Sequence, residues 1–230
     1  MHAKKAVSFS PIKWTGRALQ RIGAELQIRS GIKGTWIDVG AHHGEVTLWC
    51  AQQNPGLIVY AFEPNLRAAS ALFGRAPNYI VVPIAVAETD GSSQFHLNSL
   101  EGASSLLAMD EDARRSWKGG EALREESIVS VPTIRLDTFM SAAGIGHVDF
   151  LKIDTQGNDL AVIRSAGQRI RDIGKITLEV DVTPKRLYRG SPSKEEVVSF
   201  LQAAGFSLVS KEQQFHGQEE NLTFECTSSQ

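Results

Sequence analysis

Residues 35–74 read in order as a short apolar strand, a glycine turn, a helix, a second apolar strand and a second helix, and that order constrains the fold more than any other feature. Thr35-Trp-Ile-Asp-Val-Gly40 is an apolar run ending in Asp and Gly, and GEVTLWCAQQ after it has helical spacing. LIVYAFE is a second buried strand. NLRAASALFG is a second helix, with Asn65 placed as N-cap and Gly74 as the stop. YIVVPIAV follows as a third strand, and Pro83 marks it as irregular or close to an edge. Further on, VDFLKID, a helix over about Asp159–Ala166, and KITLEVD repeat the rhythm. Strands alternating with helices of this length specify βαβ units, and hence a mostly parallel sheet covered on both faces.

The C-terminal part breaks the alternation. Ser193-Lys-Glu-Glu196 is a capping-box pattern that opens a helix through VVSFLQAA, stopped at Gly205. FSLVS and NLTFEC then follow with only a polar connection, so the last two strands are expected to pair antiparallel. Between the third strand and VDFLKID, SSQFHLN and SIVSVPTIRLD look like two strands that enclose a polar excursion, Ser99–Glu126. A long excursion inside a compact domain serves as a lid or a mobile loop, and substrate recognition is expected there.

Charge and composition narrow the classes. Residues 1–33 carry seven basic side chains against Glu25 alone, +6, so the rest of the chain sums to −8 for the overall −2. Ile12, Leu19, Ile22 and Leu26 in that basic segment have helical spacing. The segment reads as a helical extension (1–34) that packs an apolar stripe and leaves its basic face in water, in preference to a role at an anionic surface. The remainder, 35–230, reads as one domain. No apolar run approaches the roughly 20 residues that span a bilayer. No sustained apolar core follows the basic start, which argues against a signal peptide. Two cysteines, Cys50 and Cys226, make no disulfide framework and fit a reducing compartment. The expectation is a cytoplasmic protein without stable membrane insertion and without nucleic-acid binding by bulk charge. The oligomeric state is left open.

The glycine turn Asp38-Val-Gly-Ala-His-His-Gly44 carries the most chemistry. Gly40 lets the backbone leave the strand sharply, and Gly44 allows close approach of helix and ligand. The crevice at the strand ends is where open α/β sheets bind ligands. The dinucleotide pattern G-x-G-x-x-G fails, because positions 42 and 45 are His and Glu. Asp38 would repel a phosphate but suits a cationic ligand, and S-adenosylmethionine carries a sulfonium and an ammonium without phosphate. Glu63 ends the second strand some twenty residues later, where a carboxylate accepts both hydroxyls of a ribose.

IDVGAHHG (37–44), AFEPN (61–65), GASSL (102–106) and LKIDTQGNDLAVIRSAG (151–167), supported by TLEVD (177–181), together resemble the FkbM-type family of S-adenosylmethionine-dependent methyltransferases. The resemblance implies a doubly wound, Rossmann-like α/β sheet of seven strands with the last one antiparallel. It implies that Asp38, Gly40, His42 and Gly44 line the methionyl part of the cofactor. Glu63 would take the ribose and Pro64 would shape the adenine side. Ala85, placed at the end of the third strand, and Ser105 would flank the base or close over the cofactor. The family usually reads D-x-E-G-x-E after the fourth strand, where this chain has Gln156 and Asp159.

A hydroxyl acceptor would benefit from a base within hydrogen-bond reach. Asp154 is the first candidate, either as catalytic base or as partner of the cofactor ammonium; the alternative is an N-cap for the following helix. Glu179 and then Asp181 come next. His43 reads as a loop residue and His42 as a cofactor contact. No Cys/His spacing suits zinc, and no metal is expected. Trp117 is the aromatic residue to examine for substrate stacking.

The expected activity is O-methylation of a hydroxyl on a sugar, glycolipid or secondary metabolite, with a small-molecule or glycan acceptor as partner. The alternatives are a nicotinamide-dependent oxidoreductase and a non-catalytic cofactor-binding module of the same fold.

Overall fold

The computed structural model describes residues 31–227. The basic helical extension read from Ile12, Leu19, Ile22 and Leu26 lies outside the described residues. Trp36 and Ile37 are both buried although they point to opposite faces of strand β1 (Gly34–Val39), the signature of a strand sandwiched between two layers. Helix α1 (Thr47–Gln53), strand β2 (Leu57–Phe62), helix α2 (Leu66–Leu72) and strand β3 (Tyr79–Val82) follow as the pattern requires. The Asn65 side chain accepts from the Arg67 amide at 3.0 Å and so caps α2, as its position predicts.

At Pro83, which has no amide proton to give to a ladder, the chain leaves the main sheet. Residues β4 (Ala85–Val86), β5 (Gly91–Asn98) and β6 (Glu125–Ile134) form a separate three-stranded sheet in the order β4-β6-β5. Ala85 therefore does not end the third strand of the main sheet; it pairs with Thr133 in the small one. β5 and β6 are antiparallel and enclose the excursion, as expected. That excursion is folded. It contains helix α3 (Glu111–Ser116), and Trp117, Ala103 and Leu123 pack with Leu187 and Tyr188 in a small core of their own.

Helix α4 (Leu136–Ala142), strand β7 (Phe150–Ile153), helix α5 (Asp159–Ser165), strand β8 (Lys175–Asp181), helix α6 (Lys194–Ala203) and strands β9 (Phe206–Gln214) and β10 (Glu219–Cys226) complete the chain. The main sheet has the order β3-β2-β1-β7-β8-β10-β9. Its pairings are parallel except those of β10, which runs against both neighbours. One face buries Ile37, Leu151 and Ile176 under α4, α5 and α6; the other buries Trp36, Val59 and Phe150 under α1 and α2. The architecture is the seven-stranded, doubly wound α/β fold. No described helix is long and apolar enough to cross a membrane.

Ser193 Oγ accepts from the Glu196 amide at 3.1 Å while Glu196 Oε2 accepts from the Ser193 amide at 2.6 Å, closing the capping box of α6. Ser193→Ala is expected to cost about 1 kcal/mol of stability, read as a lower urea midpoint with an unchanged slope; an unshifted midpoint would remove the cap from the account of this helix.

Candidate active site

Three adjacent strands, β2, β1 and β7, end side by side, and their C-terminal ends carry Glu63, the glycine turn and Asp154. Gly40 has φ +76°, and a Cβ there would lie 1.9 Å from the Asp154 carbonyl oxygen, so only glycine lets the two strand ends come this close. Gly44 has a packing role: a Cβ would meet Leu48, Tyr79 and Leu72 rather than open space.

Asp38 and Lys152 face each other across β1 and β7, both buried, with Nζ donating to Oδ1 at 3.0 Å and to the Gly40 carbonyl at 3.3 Å. Thr47 Oγ1 donates to the other Asp38 oxygen. Burial pushes the Asp38 pKa up while Lys152 and Thr47 oppose it. Asp38 thus answers a cation supplied by the chain itself and shapes the turn from below. Lys152 also lies 3.8 Å from Asp154 Oδ2, so one ammonium ties both acids. The sequence offered a signal for this residue, a lone charge inside the buried run FLKI, which requires a partner.

Glu63 is buried, and its oxygens accept the His42 amide at 2.7 Å and the Asn65 amide at 2.8 Å. Burial pushes its pKa up to about 7 against the pull of those amides. Each carboxylate oxygen has two lone pairs, so after one amide apiece both retain an acceptor position, the pair a ribose diol requires. Pro64 is half-buried at the exit of β2, next to the Asn65 cap. His42 adopts φ +47°, a strained conformation for a residue with a side chain. Burial disfavours its imidazolium, yet Glu45, Glu63 and Glu101 together hold its pKa above the ordinary histidine value.

The excursion closes on this turn. Gly102 lies over His42, where a Cβ would stand 3.8 Å from the ring. Ser105, expected to flank the base, is buried and donates to the Gln156 carbonyl at 2.8 Å, which fastens the excursion to the loop after β7. Met109 bridges Tyr188, and the Tyr188 hydroxyl donates to the Ala103 carbonyl at 2.8 Å. Trp117 is buried in the excursion's core and offers no face for stacking.

Beyond Asp154 a cavity opens, lined by Gln156, Asp159, Glu179, Tyr188, Ser191 and Glu219. Gln156, at φ +56°, donates to Asp154 Oδ1 at 2.9 Å and to Glu179 Oε2 at 3.2 Å. Asp154 is therefore no helix cap: α5 starts after Asn158, and Asp154 is held between Gln156 and Lys152. Asp159 receives the Thr155 and Gly157 amides, and burial with the nearby Asp154 pushes it up to about 7. Burial and the facing acid Glu219 hold Glu179 well above the usual carboxylate range. Asp181 is occupied by the Thr183 and Leu187 amides of the following loop. Tyr188 and Glu219 gave no signal in the sequence, since only the fold brings them to Gln156.

The profile of the methyltransferase FkbM domain matches residues 38–208. The chain belongs to that family. Among curated proteins it is similar to the 2-O-methyltransferase NoeI of Sinorhizobium fredii, 24% identical over 181 residues that cover 76% of this chain and 73% of that protein. Among solved structures it shares its fold with magnesium protoporphyrin IX methyltransferase (ChlM) from Synechocystis PCC 6803 bound to S-adenosylhomocysteine, at TM-score 0.52 and 11% identity over 92% of this chain and 81% of that one. TrmK of M. capricolum, also in complex with S-adenosylhomocysteine, matches at TM-score 0.50 and 10% identity over 91% of this chain and 67% of that one.

Lys152→Met leaves Asp38 buried without its cation and is expected to cost about 3–5 kcal/mol in denaturant unfolding; a loss below about 1 kcal/mol would class the pair with exposed ones. Asp159 binds a proton in the native state up to about pH 7, whereas the unfolded chain releases it near 3.9. Its contribution therefore lowers stability as pH rises through that window, by up to about 1.4 kcal/mol per pH unit. Asp159→Asn should flatten the fall in melting temperature between about pH 4.5 and 7, and a variant that keeps the wild-type slope would contradict the assignment.

Proposed function

We propose that the chain is an S-adenosylmethionine-dependent methyltransferase acting on a hydroxyl of a small molecule or glycan. The observation that carries this reading is the convergence of Glu63, the glycine turn and Asp154 at three neighbouring strand ends within the matched family region. When bound, the cofactor supplies an electrophilic methyl group. Glu63 has two free acceptor positions for the ribose, with Pro64 beside it, and Gly40, His42 and Gly44 form the turn below. Glu45, Glu63 and Glu101 surround this crevice with carboxylates, which suits a cationic nucleoside and disfavours a diphosphate.

Asp154 is the group to take the acceptor's proton. Its side chain is about one-fifth exposed, and Gln156 fixes its orientation. Glu179 lines the cavity and accepts from Gln156, so it is the second acid placed to meet an acceptor hydroxyl. The acidic lining from Asp159 to Glu219 provides acceptors for hydroxyl groups at the mouth of this small cavity. The likeness to a 2-O-methyltransferase supports oxygen as the methylated atom. Cys50 and Cys226 are free thiols, in keeping with a cytoplasmic location.

Calorimetry with S-adenosylhomocysteine and with NAD separates this reading from the oxidoreductase one: the former should bind and the latter should not. Glu63→Ala should weaken S-adenosylhomocysteine at least tenfold, about 1.4 kcal/mol, without unfolding the protein. A screen of hydroxylated acceptors with radiolabelled cofactor should show label on oxygen, and Asp154→Asn should depress turnover more than binding. Binding of NAD alone would overturn the proposal.

A further inference from the structure

Glu101, at the start of the excursion, faces both histidines of the glycine turn. Its Oε1 accepts from Asn65 Nδ2 at 3.1 Å, which leaves Oε2 directed at the rings, 3.2 Å from His43 Nε2 and 3.7 Å from His42 Nε2. The two rings lie with centroids 4.0 Å apart. His42 Nδ1 is hydrogen-bonded to Glu45 Oε1 at 2.7 Å, whereas its Nε2 is buried and has no hydrogen-bond partner. In the neutral ring with its proton on Nδ1, toward Glu45, Nε2 presents a lone pair to the lone pairs of Glu101. Two such donors repel one another unless a proton or a metal cation stands between them.

The spacing suits a metal. Donors bound tetrahedrally at about 2.0–2.1 Å from zinc stand about 3.3 Å apart, and the two contacts to Glu101 Oε2 bracket that value. The three donor atoms lie within 4.8 Å of one another. Two imidazoles and one carboxylate favour zinc and its neighbours over the oxygen-seeking magnesium and calcium. Glu45 behind His42 and Asn65 behind Glu101 are the outer partners that orient metal ligands.

We propose that His42 Nε2, His43 Nε2 and Glu101 Oε2 bind a zinc-class divalent ion that fastens the excursion to the glycine turn. The ion would have three protein ligands and one open position. His43 and Glu101 stand 58 positions apart in the sequence, which is why no motif reveals the site. His42 and Glu101 also border the crevice proposed for the cofactor, so the ion is read on its own, in the absence of any cofactor.

The test uses the full chain, stripped of metal, titrated with zinc chloride by calorimetry in the absence of any cofactor. One ion per chain is expected. His43→Ala and Glu101→Gln, both at partly exposed positions, should each weaken zinc at least a hundredfold while circular dichroism melts stay close to wild type. Glu45→Gln, acting as a positioning change, should weaken it about 10- to 100-fold. In hydrogen exchange, zinc should slow the amides of residues 100–107 in the wild type and leave them unchanged in Glu101→Gln. Failure of the wild type to bind zinc, wild-type affinity in both ligand variants, or zinc binding without slower exchange at 100–107 would each overturn the proposal.

Discussion

The buried ion pair of Asp38 and Lys152 is the constraint on which the site depends. It joins the two central strands β1 and β7 just before both end, and its ammonium reaches on to the Gly40 carbonyl and toward Asp154. A pair so buried is costly to desolvate, and its value lies in orientation more than in net stability. With Lys152 held in place, the glycine turn and the Asp154 loop have a fixed separation. The contact that Gly40 permits with the Asp154 carbonyl is the backbone counterpart of the same junction.

Around that junction the chain places two strained non-glycine residues, His42 and Gln156, each at the turn that follows a central strand. Such conformations persist only where neighbours over-determine them. For His42 the determinants are its amide on Glu63 and its ring on Glu45; for Gln156 they are Asp154, Glu179 and the Ser105 hydroxyl. The excursion contributes to the Gln156 set through Ser105, and Glu101 faces the His42 ring at 3.7 Å. It is thus part of the floor of the site as well as its cover.

The sheet was legible because burial on both faces turns each parallel strand into a continuous apolar run, and the caps Asn65 and Ser193 mark helix starts by local chemistry alone. The third strand was legible only as far as Pro83, because nothing local says that the chain crosses to a second sheet before Ala85. At the site, Glu63, Gly40 and Asp154 could be found from their places at strand ends. The partners of Asp38, Trp117, Ser105 and Glu101 could not, since each is set by contacts between segments distant in sequence. Asp38 shows the difference most clearly: its place in the turn gives no hint of Lys152, which lies 114 residues further on and binds it from the neighbouring strand.

The reversed direction of β10 has a consequence for the cavity beyond Asp154. In the parallel strands, the residues that reach the ligand rim are the last ones, and helices must follow to return the chain. A strand running the other way arrives at that rim with its first residue, so Glu219 sits opposite Asp181 at the tip of β8. The chain can then gather one more carboxylate there without another crossover helix. The rim becomes more acidic through topology alone, and a change confined to the short connection before Glu219 would alter the cavity wall while leaving the parallel core as it is.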